Sequence, residues 1–455
     1  MEASVEPVDQ SNSASPTPVS APGQVESTSH NKLLPLYQLC SEVIGPFLII
    51  RLLLLLVGVV TMFYIAPLIN HHQPIVLNSR AYHFPDMLLL MWDRFDSGFY
   101  ISIAQRGYDP ASMLHRMSNW VFFPLYPLLL HIIALPFGSD WDTYRFAGIV
   151  VSNAAALGAA IYLYKLATRE LGRTIAARTV LYLLLFPMSF YLSAIYPESL
   201  FLLLVVSCVY YTRLHRWWLA GLLGGLATLT RPQGILLALI VGWEYLQFLT
   251  DPVALLPRES GIIAIVQNWL RSRILNFWYS LASWRTWLGF LCLLLIPGGL
   301  ALFSIYAKWQ VGAFKAFSIA EKYGWGRELT DPFSVLLSSI QHPRSIGPYD
   351  WNFYIFNMLV ILAFFLLLIP IFRKLPLIYA IFTLVFLLMP LTSGEINSIA
   401  RYYLPVFPVF MYLAWWSTRG SLERQTRRHT LIVASFAVLL SLGMVLFTLG
   451  VYSMA

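Results

Sequence analysis

The chain has 455 residues, of which 58% are hydrophobic and only 11% charged, and its mean hydropathy is +0.66. Soluble domains carry about 25% charged residues, so this composition excludes a soluble globular protein and predicts an integral membrane protein. The formal charge of +8 then belongs to loops on the cytoplasmic side rather than to a nucleic-acid interface.

In chain order, residues 1–31 are rich in Ser, Pro, Val, Gln and Thr, with no aromatic residue. Such a segment cannot bury enough surface to offset its ordering entropy and reads as a disordered tail. It lacks the basic start and early apolar run of a signal peptide. Residues 32–455 read as one all-α polytopic domain. A span needs about 20 apolar residues, and candidates fall at 44–68, 145–165, 178–195, 198–213, 216–231, 234–250, 287–307, 352–372, 375–391, 402–417 and 430–452. That is about eleven helices, several of them short. The run "VFFPLYPLLLHIIALPF" (121–137) has two early prolines and is better suited to a re-entrant or interfacial helix.

Charge settles the threading. With 121–137 not crossing and the tail cytoplasmic, the basic groups around Arg169–Arg178, Arg213–Arg216, Arg271–Arg285, Arg373–Lys374 and Arg419–Arg428 all fall inside. The opposite face carries a first outer loop within 69–143 and a second at 308–351. Asp93, Asp96, Asp109, Glu198, Glu321, Glu328, Asp331 and Glu395 gather there, a site-like distribution of ionisable residues. The cysteines Cys40, Cys208 and Cys292 have no CxxC or CxxH neighbour and read as packing residues. The pair His71–His72 has no third ligand and reads as a loop feature.

A charged stretch within the first loop is "WDRFDSGFYISIAQRGYDP" (Trp92–Pro110). Its spacing predicts an amphipathic helix on the outer membrane surface, with Phe95, Phe99, Ile103 and Tyr108 to one side and Gly107 as the stop. Asp93 and Asp96, three apart, would share a face. Two readings remain open on spacing alone. Asp93 pairs with Arg94 or Arg106 while Asp96 caps the helix, or a carboxylate is held at the lipid–water boundary as a general base.

"FDSGFYISIAQRGY" followed by "FFPLYP" resembles the signature of the PIG-V family, the second mannosyltransferase of GPI-anchor assembly, and its prokaryotic relatives. That signature runs roughly W-D-x-x-[HW]-[FY]-x-x-I-A-x-x-G-Y and then F-F-P-x-[FY]-P. The family Asp falls on Asp96; Phe95 replaces the usual Trp, and Asp93 lies one turn earlier. "FPMSFYLSAIYPESLF" (186–201) resembles a second family segment through Tyr196, Glu198 and Ser199, with Pro197 in place of Ser or Thr. "GLATLTRPQGILL" (225–237), "KWQVGAFKAFSIAEKYGWGRELTDP" (308–332) and "SIARYYLPVFP" (398–408) follow in family order.

The resemblance implies the GT-C glycosyltransferase fold and transfer of a hexose, with mannose expected, from a polyprenyl-phosphate donor to a hydroxyl of a lipid-linked or protein acceptor in the membrane. It implies Asp96 as general base, with Asp93 in reserve. Arg401, Arg231 and Tyr402 would meet the donor phosphate, and Glu198 and Tyr196 would supply a second polar contact. Glu198 as a helix cap and the two arginines as interfacial anchors stand as alternatives. Lys308, Lys322 and Arg327 would either meet phosphate head groups or be surface charge.

No DxD or Walker motif is present, which favours a lipid-linked donor over a nucleotide sugar. A divalent metal stays open, and no other cofactor is expected. The short tail and the lack of a retention signal point to a prokaryotic plasma membrane with the site on its outer face. A GT-C enzyme using a different sugar is one alternative; a transporter or flippase of lipid-linked sugars is the competing class. It would explain neither the ordered motifs nor the lack of an internal repeat.

Overall fold

A computed structural model describes residues 36–70, 84–250, 262–341, 350–396 and 398–450. The tail at 1–31, His71–His72 and parts of both long loops (71–83 and 342–349) lie outside the described residues.

Every regular element among the described residues is helical. The helices are α1 (Leu36–Leu68), α2 (Phe84–Leu90), α3 (Ser97–Arg106), α4 (Leu125–Ala134) and α5 (Trp141–Leu171). Then come α6 (Arg173–Leu185), α7 (Glu198–Arg213), α8 (Trp217–Thr230), α9 (Leu237–Thr250), α10 (Ile262–Leu281) and α11 (Trp284–Val311). The last are α12 (Pro332–Gln341), α13 (Asp350–Lys374), α14 (Leu377–Leu391), α15 (Phe407–Ser417) and α16 (Leu422–Leu449).

A helix overlaps each apolar segment named from the sequence, and among the described residues 6 helices are long and apolar enough to cross a membrane. With the composition, this makes the chain an integral membrane protein. α4 has 10 residues, about 15 Å of rise against a hydrocarbon core of about 30 Å, and is too short to span it.

The expected span at 178–195 is helical only to Leu185; beyond it Ser189–Leu192 forms a 3₁₀ turn. Pro187 and Pro197 bracket this stretch and disfavour a continuous helix. Residues 186–197 are buried throughout, which is what permits irregular backbone inside a membrane protein. Arg51 of α1 donates to the Ser189 carbonyl at 3.0 Å and to Ser193 Oγ at 3.1 Å, tying the first span to this turn.

The stretch at Trp92–Tyr108 also differs from the amphipathic surface helix expected. Phe95 has φ 52°, so the chain turns before α3 starts at Ser97. α3 then packs between α4 and α5, with Tyr100, Ile101, Ile103 and Ala104 buried. Gly107, at φ 84°, ends it, as the sequence predicts.

Packing of α8 on α11 is among the most extensive helix contacts and depends on glycines. A Cβ on Gly221 would lie 2.0 Å from the Cys292 carbonyl oxygen, and one on Gly225 2.5 Å from that of Leu295. Spaced four apart, these two share a helix face, the small-residue arrangement that lets backbones meet inside membranes. The contact fixes the end of α8, where Arg231 emerges. Gly225→Ala should therefore cost about 1–3 kcal/mol through overpacking and lower the apparent melting temperature in detergent. Gly298→Ala, with nothing within 4 Å of its new Cβ, should leave it unchanged in the same thermal-shift assay.

Candidate active site

The site forms where the first long loop, the start of α7, the end of α8 and the turn at Ile399–Tyr402 converge. Each contributes one charged side chain. Asp96 leaves the turn before α3, and Glu198 is the first residue of α7, immediately after Pro197. Arg231 follows α8, where Pro232 stops the helix. Arg401 lies in the short turn entered through Ser398, which has φ 61°.

These four form a chain of alternating charge. Arg401 Nη1 lies 3.1 Å from Asp96 Oδ2, and Arg401 Nε lies 3.3 Å from Glu198 Oε1. Arg231 Nη1 reaches the same Oε1 at 3.1 Å. Asp96 and Arg401 are 7% and 3% exposed, and Glu198 is fully buried. The guanidinium of Arg401 is also boxed by the rings of Tyr191, Tyr196 and Tyr402, with centroids at 5.2, 5.1 and 5.0 Å. Aromatic faces of this kind favour a cation removed from water.

Tyr196 has a second task. Its hydroxyl donates to the Arg94 carbonyl at 2.8 Å and accepts from the Asp96 amide at 3.0 Å. It therefore clamps the backbone on both sides of Phe95, in the sterically costly left-handed region, and fixes where Asp96 points.

Asp93 is directed elsewhere. Its Oδ2 takes Arg145 Nε at 2.6 Å and Trp141 Nε1 at 3.2 Å, and its Oδ1 accepts from Ser97. Asp93 thus pairs with an arginine of α5, and neither Arg94 nor Arg106 is the partner suggested by spacing. Asp96 makes no side-chain capping bond to α3.

A cavity of about 580 Å³ opens against this cluster. Asp96, Arg231, Arg401 and Tyr402 line it, whereas Glu198 and Tyr196 stand behind the wall. The second long loop contributes Glu321, Lys322, Trp325 and Arg327 to the lining. Of these, the sequence singled out Lys322 and Arg327 as alternative phosphate contacts and counted Glu321 among the acids of a site-like group, but gave Trp325 no role. Trp325, set between two glycines in "YGWGRE", was the one available signal.

Arg327 approaches Glu321 at 4.0 Å. Tyr402 foremost, then Glu321 and Asp96, hold its guanidinium above the ordinary arginine pKa against the opposing effect of burial. Burial pushes the Glu321 carboxyl up, and Arg327 offsets this only in part. Lys308 reaches the Gly312 carbonyl at the end of α11. Among the described residues no three His, Cys, Asp or Glu side chains are grouped to hold a metal ion.

The sequence pattern of the mannosyltransferase (PIG-V) family matches residues 32–282, a stretch that contains Asp96, Glu198 and Arg231. The chain belongs to the PIG-V mannosyltransferase family. It is accordingly a membrane glycosyltransferase. Arg401 and the second-loop residues lie beyond the matched range.

No curated protein matches the chain. Among solved structures it is similar to ArnT from Cupriavidus metallidurans bound to undecaprenyl phosphate, at 15% identity over 80% of this chain and 74% of that one, with a TM-score of 0.43. It is also similar to the Archaeoglobus fulgidus oligosaccharyltransferase in complex with Zn and sulfate, at 12% identity over 87% of this chain, with a TM-score of 0.42. The family member spans only 53% of that oligosaccharyltransferase. Likenesses at these values carry no argument about substrate or residue roles.

Glu198 is the acid shared by Arg231 and Arg401. Removing one partner from a buried ion pair costs about 3–5 kcal/mol, because the remaining charge is left unpaired. Glu198→Ala should thus lower the melting temperature far more than Asp93→Asn, with thermal unfolding in detergent as the check.

Proposed function

We propose that the enzyme transfers mannose from a polyprenyl-phosphate donor to a hydroxyl of a membrane-associated acceptor, with Asp96 as general base. The observation that carries this reading is the buried Asp96–Arg401 pair on the wall of a cavity that Arg231, Lys322 and Arg327 also line, with Glu321, Glu328 and Glu395. Arg231 also lies on that wall, 4.8 Å from the Tyr402 ring centroid.

In the proposed reaction the acceptor oxygen attacks the anomeric carbon while its proton passes to Asp96. The bond from that carbon to the phosphate oxygen breaks, and the polyprenyl phosphate departs with the electron pair. Arg231 and Arg327 suit the charge growing on the phosphate, since guanidinium matches phosphate geometry and acts strongly in a water-poor site. Arg401 is already shared between Asp96 and Glu198, so its proposed part is to orient the base and add positive potential nearby. Tyr402, which accepts from Arg401 Nη2 at 3.1 Å, holds that guanidinium and stands beside the phosphate position. Glu198 and Tyr196 are proposed to act through Arg401 and Asp96 respectively.

The placement supports an outer-face site. α7 runs from Glu198 at the cavity to Arg213, which pairs with Glu170 at the far end of α5. Arg178 bonds the Ser417 carbonyl on that same far side. The basic loops and the cavity therefore sit at opposite ends of the bundle, as the positive-inside tendency would arrange for an externally facing site.

The test is transfer of labelled mannose from polyprenyl-phosphate-mannose to membrane-extract acceptors by protein reconstituted in lipid. Asp96→Asn should keep its folding and lose about 10²–10⁴-fold in rate, the usual weight of a general base. Asp93→Asn should lose much less. A folded Asp96→Asn variant with normal turnover would sink the assignment.

A further inference from the structure

The second-loop wall of the cavity has a chemistry of its own, distinct from the ion chain. Glu321 lies in a π-helical turn, Ala320–Gly324, a local distortion often found at functional sites. Its charge partner on the loop is Arg327, at the loose distance of 4.0 Å. Gln233, on the same cavity, has a buried Oε1 with no hydrogen-bond partner among the described residues. Trp325 sets an indole on the wall, edge-on to Phe99 and Phe122 at 5.4 and 5.7 Å.

This wall is firmly built. Trp325 Nε1 donates to the Ser118 carbonyl at 3.1 Å, and the Arg327 amide donates to the Glu321 carbonyl at 2.9 Å. Gly324 lies so close to the first loop that a Cβ there would fall 1.9 Å from the Arg116 carbonyl oxygen. Thr330 N bonds the Thr392 carbonyl at 2.9 Å on the other side. Glu321 is thus held in place by both loops.

We infer that Glu321 and Gln233, which line the same cavity as Trp325, form a hexose-binding subsite in which Glu321 accepts hydrogen bonds from ring hydroxyls. The inference rests on the glycosyl-transfer reading and names the wall that would select the sugar. The half-buried Glu321 carboxylate has one loose partner, and the buried Gln233 amide oxygen has none among the described residues; a buried acceptor is costly until a donor pairs with it. Neighbouring hydroxyls of a sugar supply such donors, while the apolar face of its ring packs on an indole. A carboxyl whose proton affinity is raised by burial can moreover either accept from or donate to a hydroxyl as the sugar requires. A site built to pair a hydroxyl rejects the analogue lacking it, because its own polar groups are then left unpaired.

The sugar could be the donor's or the acceptor's, and the experiment separates them. Full-length protein in lipid nanodiscs is titrated without turnover against two series. One is short-chain polyprenyl-phosphate mannose with its monodeoxy counterparts, read by tryptophan fluorescence. The other is free methyl hexosides with their monodeoxy counterparts, read by ligand-detected NMR. Wild type should lose roughly tenfold in affinity when one particular hydroxyl is removed. Glu321→Ala, which removes the acceptor, should bind the parent sugar as weakly as wild type binds that deoxy form, and should lose nothing further on its removal. Gln233→Ala should flatten a different position and serves as the second variant if Glu321→Ala is unstable.

Flattening in the first series assigns the subsite to the donor, and flattening in the second alone assigns it to the acceptor. Wild-type binding of hexosides without any binding of the polyprenyl-phosphate sugar would refute the proposed donor while upholding the subsite. Equal weakening toward every analogue, no change in either variant, or no wild-type binding in either series would overturn it.

Discussion

Four ionised side chains carried out of water by four separate segments are the constraint on which this site depends. Each charge placed in a membrane protein's interior costs several kcal/mol in lost solvation. Here the cost is offset by alternation: Asp96, Arg401, Glu198 and Arg231 stand in sequence, each acid beside an arginine. Three tyrosine rings surround the central guanidinium. The arrangement is only as strong as its scaffolding, since displacing one member leaves its neighbour with an unpaired charge in low dielectric.

Much of the fold can be understood as that scaffolding. Prolines at 187 and 197 interrupt what would otherwise be a span. The resulting buried turn carries Tyr191, Tyr196 and Glu198 toward Arg401. Arg51 binds that turn from α1, and glycines on α8 and α11 allow the contact that sets the position of Arg231. The second loop then leans on the first through Gly324 and Trp325. In this way the cavity wall becomes a joint product of two loops distant in sequence. Irregular backbone, normally excluded from membrane interiors, is concentrated where side chains must converge, and burial within protein is what makes it tolerable.

The sequence made the helical framework legible because hydropathy is a sum over many residues, and no single break hides a span. It also brought Asp96, Arg231, Arg401 and Tyr402 into view as site residues, and all four line one cavity. Local backbone geometry was less accessible. Treating Trp92–Tyr108 as one helix placed Asp93 and Asp96 on a shared face, but a left-handed Phe95 turns them apart. The 186–197 turn looked like the tail of a span because its residues are apolar; only its prolines hinted otherwise. Glu321 entered only as one of a group of acids and Gln233 not at all, since the cavity that both line is formed by segments nearly a hundred residues apart.

The divergence of Asp93 from Asp96 illustrates how environment assigns work to chemically identical groups. A carboxylate offers about four lone-pair sites. Three partners, Ser97, Trp141 and Arg145, already bind the carboxylate of Asp93, so most of its accepting capacity goes to bonds that fasten the turn to α3 and α5. Asp96 has its backbone amide, rather than its carboxylate, engaged by Tyr196, and the carboxylate itself faces the cavity with Arg401 at one oxygen. One aspartate is consumed in holding the turn and the other is held by it. Two acids separated by a single turn of chain are therefore not redundant: the bonds that immobilise Asp93 are part of what keeps Asp96 oriented for the proposed proton transfer.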